Sequence, residues 1–94
     1  MFEIRRNEHG QMLFCGRLDA SQAEKARAAL ADITGSATLD LGGLEYISSA
    51  GLGVLLEAQK RLSESGQGLT LTGLSKHIED LFRVAGFDSI FDIV

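Results

Sequence analysis

Apolar and polar positions alternate at the start of the chain, with Phe2 and Ile4 on one parity and Glu3 and Arg5 between them. A second apolar run, Gln11 to Leu18, follows the turn-forming stretch Asn7-Glu8-His9-Gly10, and the two runs predict a β-hairpin turning near His9-Gly10. From Ser21 the period lengthens. Ser21-Gln22-Ala23-Glu24 has the form of a capping box, and Ala23, Ala26, Leu30 and Ile33 recur at helical spacing, which predicts a first helix ending near Thr34-Gly35. Thr38-Leu39-Asp40-Leu41 reads as a short strand stopped by Gly42-Gly43.

The helical period is clearest at Leu52, Leu55, Leu56, Gln59 and Leu62, with Glu57, Lys60, Arg61 and Glu64 on the other face and Gly66 placed as a C-terminal cap. Leu69-Thr70-Leu71-Thr72 alternates as a strand. Ser75 then caps a third helix whose Ile78, Leu81, Phe82 and Ala85 face inward and which Gly86 stops. Ile90 to Val94 reads as a last strand. The order β-β-α-β-α-β-α-β predicts an α/β fold with a mixed, mostly parallel sheet, its helices packed on it through right-handed crossovers.

Composition narrows what such a fold can do. The 94 residues, 45% hydrophobic and 23% charged, suit one domain spanning residues 1–94 with a single core and no deep substrate cavity. Nine Lys+Arg against 13 Asp+Glu give a net charge of −4, without the basic footprint of a nucleic-acid binder. No apolar stretch is long enough to enter and span a bilayer, and Met1-Phe2-Glu3-Ile4-Arg5-Arg6 has no secretory-signal form, so a cytoplasmic location is expected. Cys15, between Phe14 and Gly16, reads as a buried, inert thiol, which leaves no disulfide and no cysteine metal site.

His9 and His77 have no partners at metal-ligand spacing, and Asp40, Glu79, Asp80, Asp88 and Asp92 are scattered where capping or solvation explains them. No catalytic constellation, metal or cofactor is expected. The informative segment is Leu39 to Leu56, where a strand runs into a loop and Ser48-Ser49-Ala50-Gly51-Leu52-Gly53 opens the long helix, aiming unpaired N–H groups at the serines. A dinucleotide fingerprint fails because Leu56 stands where its third small residue belongs, and a P-loop fails because no Lys-Ser or Lys-Thr follows the glycines. Two readings stay open: a serine that is only a helix cap beside glycines that allow close packing, or a hydroxyl positioned for phosphorylation, where the dianion gains from the helix dipole. Spacing does not choose between Ser48 and Ser49.

Tyr46-Ile-Ser-Ser-Ala-Gly-Leu-Gly-Val-Leu-Leu56 resembles the Asp-Ser-Ser/Thr-Gly-Leu-Gly-Val signature of the STAS family, specifically its single-domain bacterial anti-sigma-factor antagonists. Gly16-Arg-Leu-Asp19 is similar to the family's Gly-Glu-Leu-Asp, and Asp80-Leu-Phe-Arg-Val-Ala-Gly-Phe87 to its Leu-Phe-x-x-x-Gly-Leu segment. The resemblance implies phosphorylation at Ser49, with Ser48 as second choice, by an anti-sigma factor that is also a serine kinase of the histidine-kinase-like ATPase fold. It implies release of that partner on phosphorylation, restoration by a PP2C-type phosphatase, and a docking surface around Asp19, Ser48, Ser49, Ala50, Gly51 and Gly53. Here Ser48 replaces the family's aspartate and Ala50 its Ser or Thr. The alternative is a STAS accessory subunit of an ABC-type lipid transporter, docking on the transporter's ATPase through the same loop.

Overall fold

In a computed structural model covering Met1–Val94, the opening alternation becomes strands β1 (Phe2–Arg6) and β2 (Met12–Leu18), paired antiparallel from Phe2 opposite Gly16 to Arg6 opposite Met12. Asn7 organises their turn, its side-chain oxygen accepting from the N–H groups of His9 and Gln11 at 2.9 Å each. A 3₁₀ turn (Ala20–Gln22) leads into α1 (Ala23–Ala31), then β3 (Ala37–Ile47), α2 (Ser49–Ser63), β4 (Leu69–Thr72), α3 (Lys76–Val84) and β5 (Asp92–Ile93). The sheet order is β1-β2-β3-β4-β5, and every pair after the hairpin is parallel. This is the mixed, mostly parallel α/β architecture that the element order predicts.

One sheet face is apolar. Phe14 and Leu18 of β2, Leu39 and Leu41 of β3, and Leu69 and Leu71 of β4 are buried with Leu30, Leu55, Ile78 and Phe82 of the three helices in one cluster. Each such side chain contributes about 1.5–3 kcal/mol relative to exposure. No polar or charged residue is buried. The outward residues of the same strands, among them Arg5, Leu13, Arg17, Asp40 and Thr70, stay half-buried or exposed.

Six expectations are corrected, the first being Cys15, which is half-buried and not buried. Gly42-Gly43 does not end the third strand: β3 runs eleven residues, to Ile47. Its pairing with β2 slips between Leu13 and Cys15 and again between Gly16 and Arg17, each slip inserting one extra β3 residue. The inward residues Leu39, Leu41, Leu44 and Ile47 are therefore two, three and three positions apart, and the bulges keep all four on the core side. The cap near Ser21 is Asp19, which accepts from the Ser21 N–H and caps the 3₁₀ turn, while Glu24 instead pairs with Arg27. Ile33 lies beyond the end of α1. Ala85 is exposed at the C-cap of α3. The last strand is only Asp92–Ile93.

The helix ends read as expected. Gly66 and Gly86 take positive φ angles of 76° and 79°, and the Gln67 and Phe87 N–H groups return to the Leu62 and Phe82 carbonyls. No helix is long and apolar enough to cross a membrane.

Candidate functional site

The site lies at the C-terminal ends of β2 and β3, where Leu18 pairs with Ile47 and the chain leaves as Asp19 on one strand and Ser48 on the other. The Ser48 N–H donates to the Leu18 carbonyl at 2.9 Å, joining the two strand ends. Ser48 then turns the chain into α2: its backbone is extended, its hydroxyl accepts from the Gly51 N–H at 3.2 Å, and its carbonyl accepts from the Leu52 N–H at 2.9 Å.

This arrangement separates the two serines that spacing left equivalent. The Ser48 hydroxyl is engaged as the helix cap and its residue is half-buried. Ser49 is exposed in the first turn, and its side chain makes no hydrogen bond to the protein. Ala50 beside it is also exposed. Because Ser48 satisfies only the Gly51 N–H and begins the helical ladder at Leu52, the Ser49 and Ala50 N–H groups have no acceptor within the helix. No acidic residue occupies the first turn of α2, so no side chain of that turn compensates the positive end of its dipole.

The two glycines differ. Gly51 is buried, and a Cβ there would lie 2.8 Å from Leu18 Cγ, 2.9 Å from Ile47 Cγ1 and 3.0 Å from the Leu18 carbonyl oxygen. Its missing side chain lets the start of α2 seat on β2 and β3. Gly53 meets nothing within 4 Å of the same added atom. Leu52, between them, is core.

Asp19 caps the 3₁₀ turn with one oxygen, which accepts from the Ser21 hydroxyl at 2.6 Å and the Ser21 N–H at 3.1 Å. The Ser21 hydroxyl, then the Ser21 and Gln22 N–H groups and the charge of Arg17, hold this carboxyl below the ordinary carboxylate range, against a desolvation that works the other way. Arg17 and Tyr46, which sequence reading left out of the site, stand one step back along the same strands; the guanidinium carbon lies 4.5 Å from the ring centroid. The signal that hides them is the second β3 bulge. Chemically, the place offers an accessible hydroxyl beside unfilled backbone donors.

A family model described as "Mlab, STAS domain" matches residues 4–94. The chain is 38% identical over 90 residues to BtrV of Bordetella bronchiseptica, which carries the name of an anti-sigma factor antagonist, covering 89% of this chain and 78% of that one. It is 33% identical over 93 residues to the anti-sigma-B factor antagonist of Listeria monocytogenes, covering 95% and 82%. Among solved structures, the phosphorylated form of the Bacillus cell fate determinant SpoIIAA aligns with a TM-score of 0.69 at 18% identity, over 100% of this chain and 91% of that one, a likeness of fold.

Proposed function

The chain belongs to the STAS domain family, and from that premise we propose that it is an anti-sigma-factor antagonist controlled by phosphorylation of Ser49. Unphosphorylated, it docks on an anti-sigma factor through Asp19, Ser48, Ser49, Ala50 and the open side of α2 at Gly53, above the seat formed by Gly51. The partner is a serine kinase of the histidine-kinase-like ATPase fold. The Ser49 oxygen attacks the γ-phosphorus of the partner's ATP, its proton passes to a base on the kinase, and the bond to the leaving ADP breaks. A PP2C-type phosphatase hydrolyses the phosphoester and returns the hydroxyl.

The observation that carries this reading is the division of labour between neighbouring serines. Ser48 holds the helix, so Ser49 is free to change its charge without unfolding it. A phosphate of about −1.5 to −2 charge gains from the helix dipole and the unfilled N–H groups, yet opposes burial under a partner. The switch therefore acts on binding more than on folding.

A second reading, an accessory subunit of an ABC-type lipid transporter, is favoured by one residue: Ala50, which with Gly51 partly fits the loop of such subunits. One experiment separates the two. Wild-type, Ser49→Ala and Ser49→Asp chains serve as bait in lysate of the source cell, with bound proteins identified by mass spectrometry. Capture of a histidine-kinase-like anti-sigma factor by wild type and Ser49→Ala, with loss in Ser49→Asp, is the expected result. Capture of an ABC ATPase by all three would replace it with the second reading.

A further inference from the structure

Arg5, Arg6, Arg27, Arg61 and Arg83 each donate a guanidinium hydrogen bond to a carboxylate or a carbonyl. The Arg17 guanidinium donates to nothing in the chain, although its side chain is exposed at the edge of the site just described. The backbone supplies the reason. β2 and β3 pair as Gly16 with Leu44 and then Arg17 with Tyr46, leaving Glu45 unpaired in the bulge. In a regular ladder Glu45 would stand opposite Arg17 and neutralise it. The extra residue puts an aromatic ring there instead, and the ring supports the guanidinium at 4.5 Å. The neighbouring carboxylate, Asp19, accepts from Ser21. Five planar N–H donors are thus held in place with no acceptor, two residues before Asp19.

We infer that Arg17, laid on Tyr46, is a specificity-determining contact of this surface and receives a carboxylate side chain of the docked protein partner. The inference rests on the docking reading above and names a chemical feature of the partner. A stacked guanidinium loses less side-chain freedom on binding than a free one, and its fork geometry matches a carboxylate. Arg and Tyr are also among the residue types enriched at the hot spots of protein interfaces. The net charge of −4 argues for a single acidic side chain as the occupant and against a polyanion.

The test is calorimetric titration of the anti-sigma factor recovered in the bait experiment into wild-type, Arg17→Glu, Arg17→Gln, Arg17→Lys and Lys60→Glu chains. Lys60 is the control because its ammonium also lacks a polar partner and it lies eleven residues along α2 from Ser49, about 16 Å at 1.5 Å per residue. Arg17→Glu is expected to weaken binding by roughly 30-fold or more and Arg17→Gln by roughly tenfold, with Arg17→Lys in between wild type and Gln. Lys60→Glu should stay within about twofold. Because the single tyrosine, Tyr46, is itself part of the altered stack, far-ultraviolet circular dichroism of the three helices verifies that each variant is folded. Equal weakening by Arg17→Glu and Lys60→Glu would reduce the effect to net charge and overturn the inference. Wild-type affinity in Arg17→Glu, with Ser49→Asp still released, would overturn it while leaving the functional reading intact. A wild-type chain that binds no anti-sigma factor would sink both.

Discussion

Two helices of this molecule begin with the same device and differ in the charges that follow it in the first turn. Ser48 and Ser75 each adopt extended backbone and accept from the N–H three residues on, at 3.2 Å in both cases. The first turn of α3 then carries Glu79 and opens a network in which Lys76 and Arg83 both pair with Asp80 and Arg83 also reaches Glu79. The first turn of α2 carries Ser49, Ala50 and Gly51, without a charge. One helix start is closed electrostatically by its own side chains, and the other is left open. On the proposed reading, the open start is where an added anion changes most.

The sharpest way to break the comparison is to disturb the seat of α2. Gly51→Ala places a methyl group 2.8–3.0 Å from Leu18 and Ile47 atoms, one of them backbone, and should cost about 2 kcal/mol in chemical denaturation. Gly53→Ala, two residues away in open space, should instead stabilise by about 0.5–1 kcal/mol by reducing the freedom of the unfolded chain.

Next come the shared caps. Ser48→Ala and Ser75→Ala should each cost about 1 kcal/mol, because each leaves one N–H without its acceptor. Ser49→Ala should change stability by less than about 0.5 kcal/mol, since its hydroxyl bonds to nothing in the chain. A loss at Ser49 as large as that at Ser48 would erase the division of labour.

Smaller still is the charge effect itself. Ser49→Asp should raise stability by about 0.3–1 kcal/mol at low ionic strength and lose most of that in high salt. Lys76→Asp, at the same position of α3, should give no such gain, because it removes the ammonium bound to Asp80 and adds charge beside Glu79. Acid should show the remaining difference. The Lys76 hydrogen bond and charge, then Arg83, hold the Asp80 carboxyl below its ordinary 3.8. A carboxyl depressed in the folded state contributes stability that is present above its unfolded value and lost as pH falls through its folded one. Replacing Asp80 with Asn should therefore flatten the loss of stability below about pH 4, and Asp19→Asn should act in the same direction, its carboxyl being depressed by the Ser21 hydroxyl.

The helices were legible because their signals are local. Period 3.6 from Leu52 to Leu62, Ser75 as cap, and Gly66 and Gly86 as stops all act within one or two turns. The third strand was not, because the core spacing of Leu39, Leu41, Leu44 and Ile47 has no single period until the two bulges are known, and those depend on β2 lying alongside. The same bulge hid the Arg17–Tyr46 stack, a tertiary contact without a local pattern. At the site, sequence located the serines and glycines. Spacing left the serines equivalent and only the family resemblance ranked Ser49 first; packing adds the Leu18 and Ile47 atoms against Gly51 and the N–H that occupies Ser48.

The central claim is that Ser49 accepts the phosphoryl group while Ser48 caps the helix. It is tested most directly by incubating wild-type, Ser48→Ala and Ser49→Ala chains with the captured kinase and ATP and mapping the phosphate by tandem mass spectrometry. Phosphate on Ser49 in wild type and Ser48→Ala, with none in Ser49→Ala, is the predicted result. Phosphate on Ser48, or unchanged incorporation in Ser49→Ala, would contradict it.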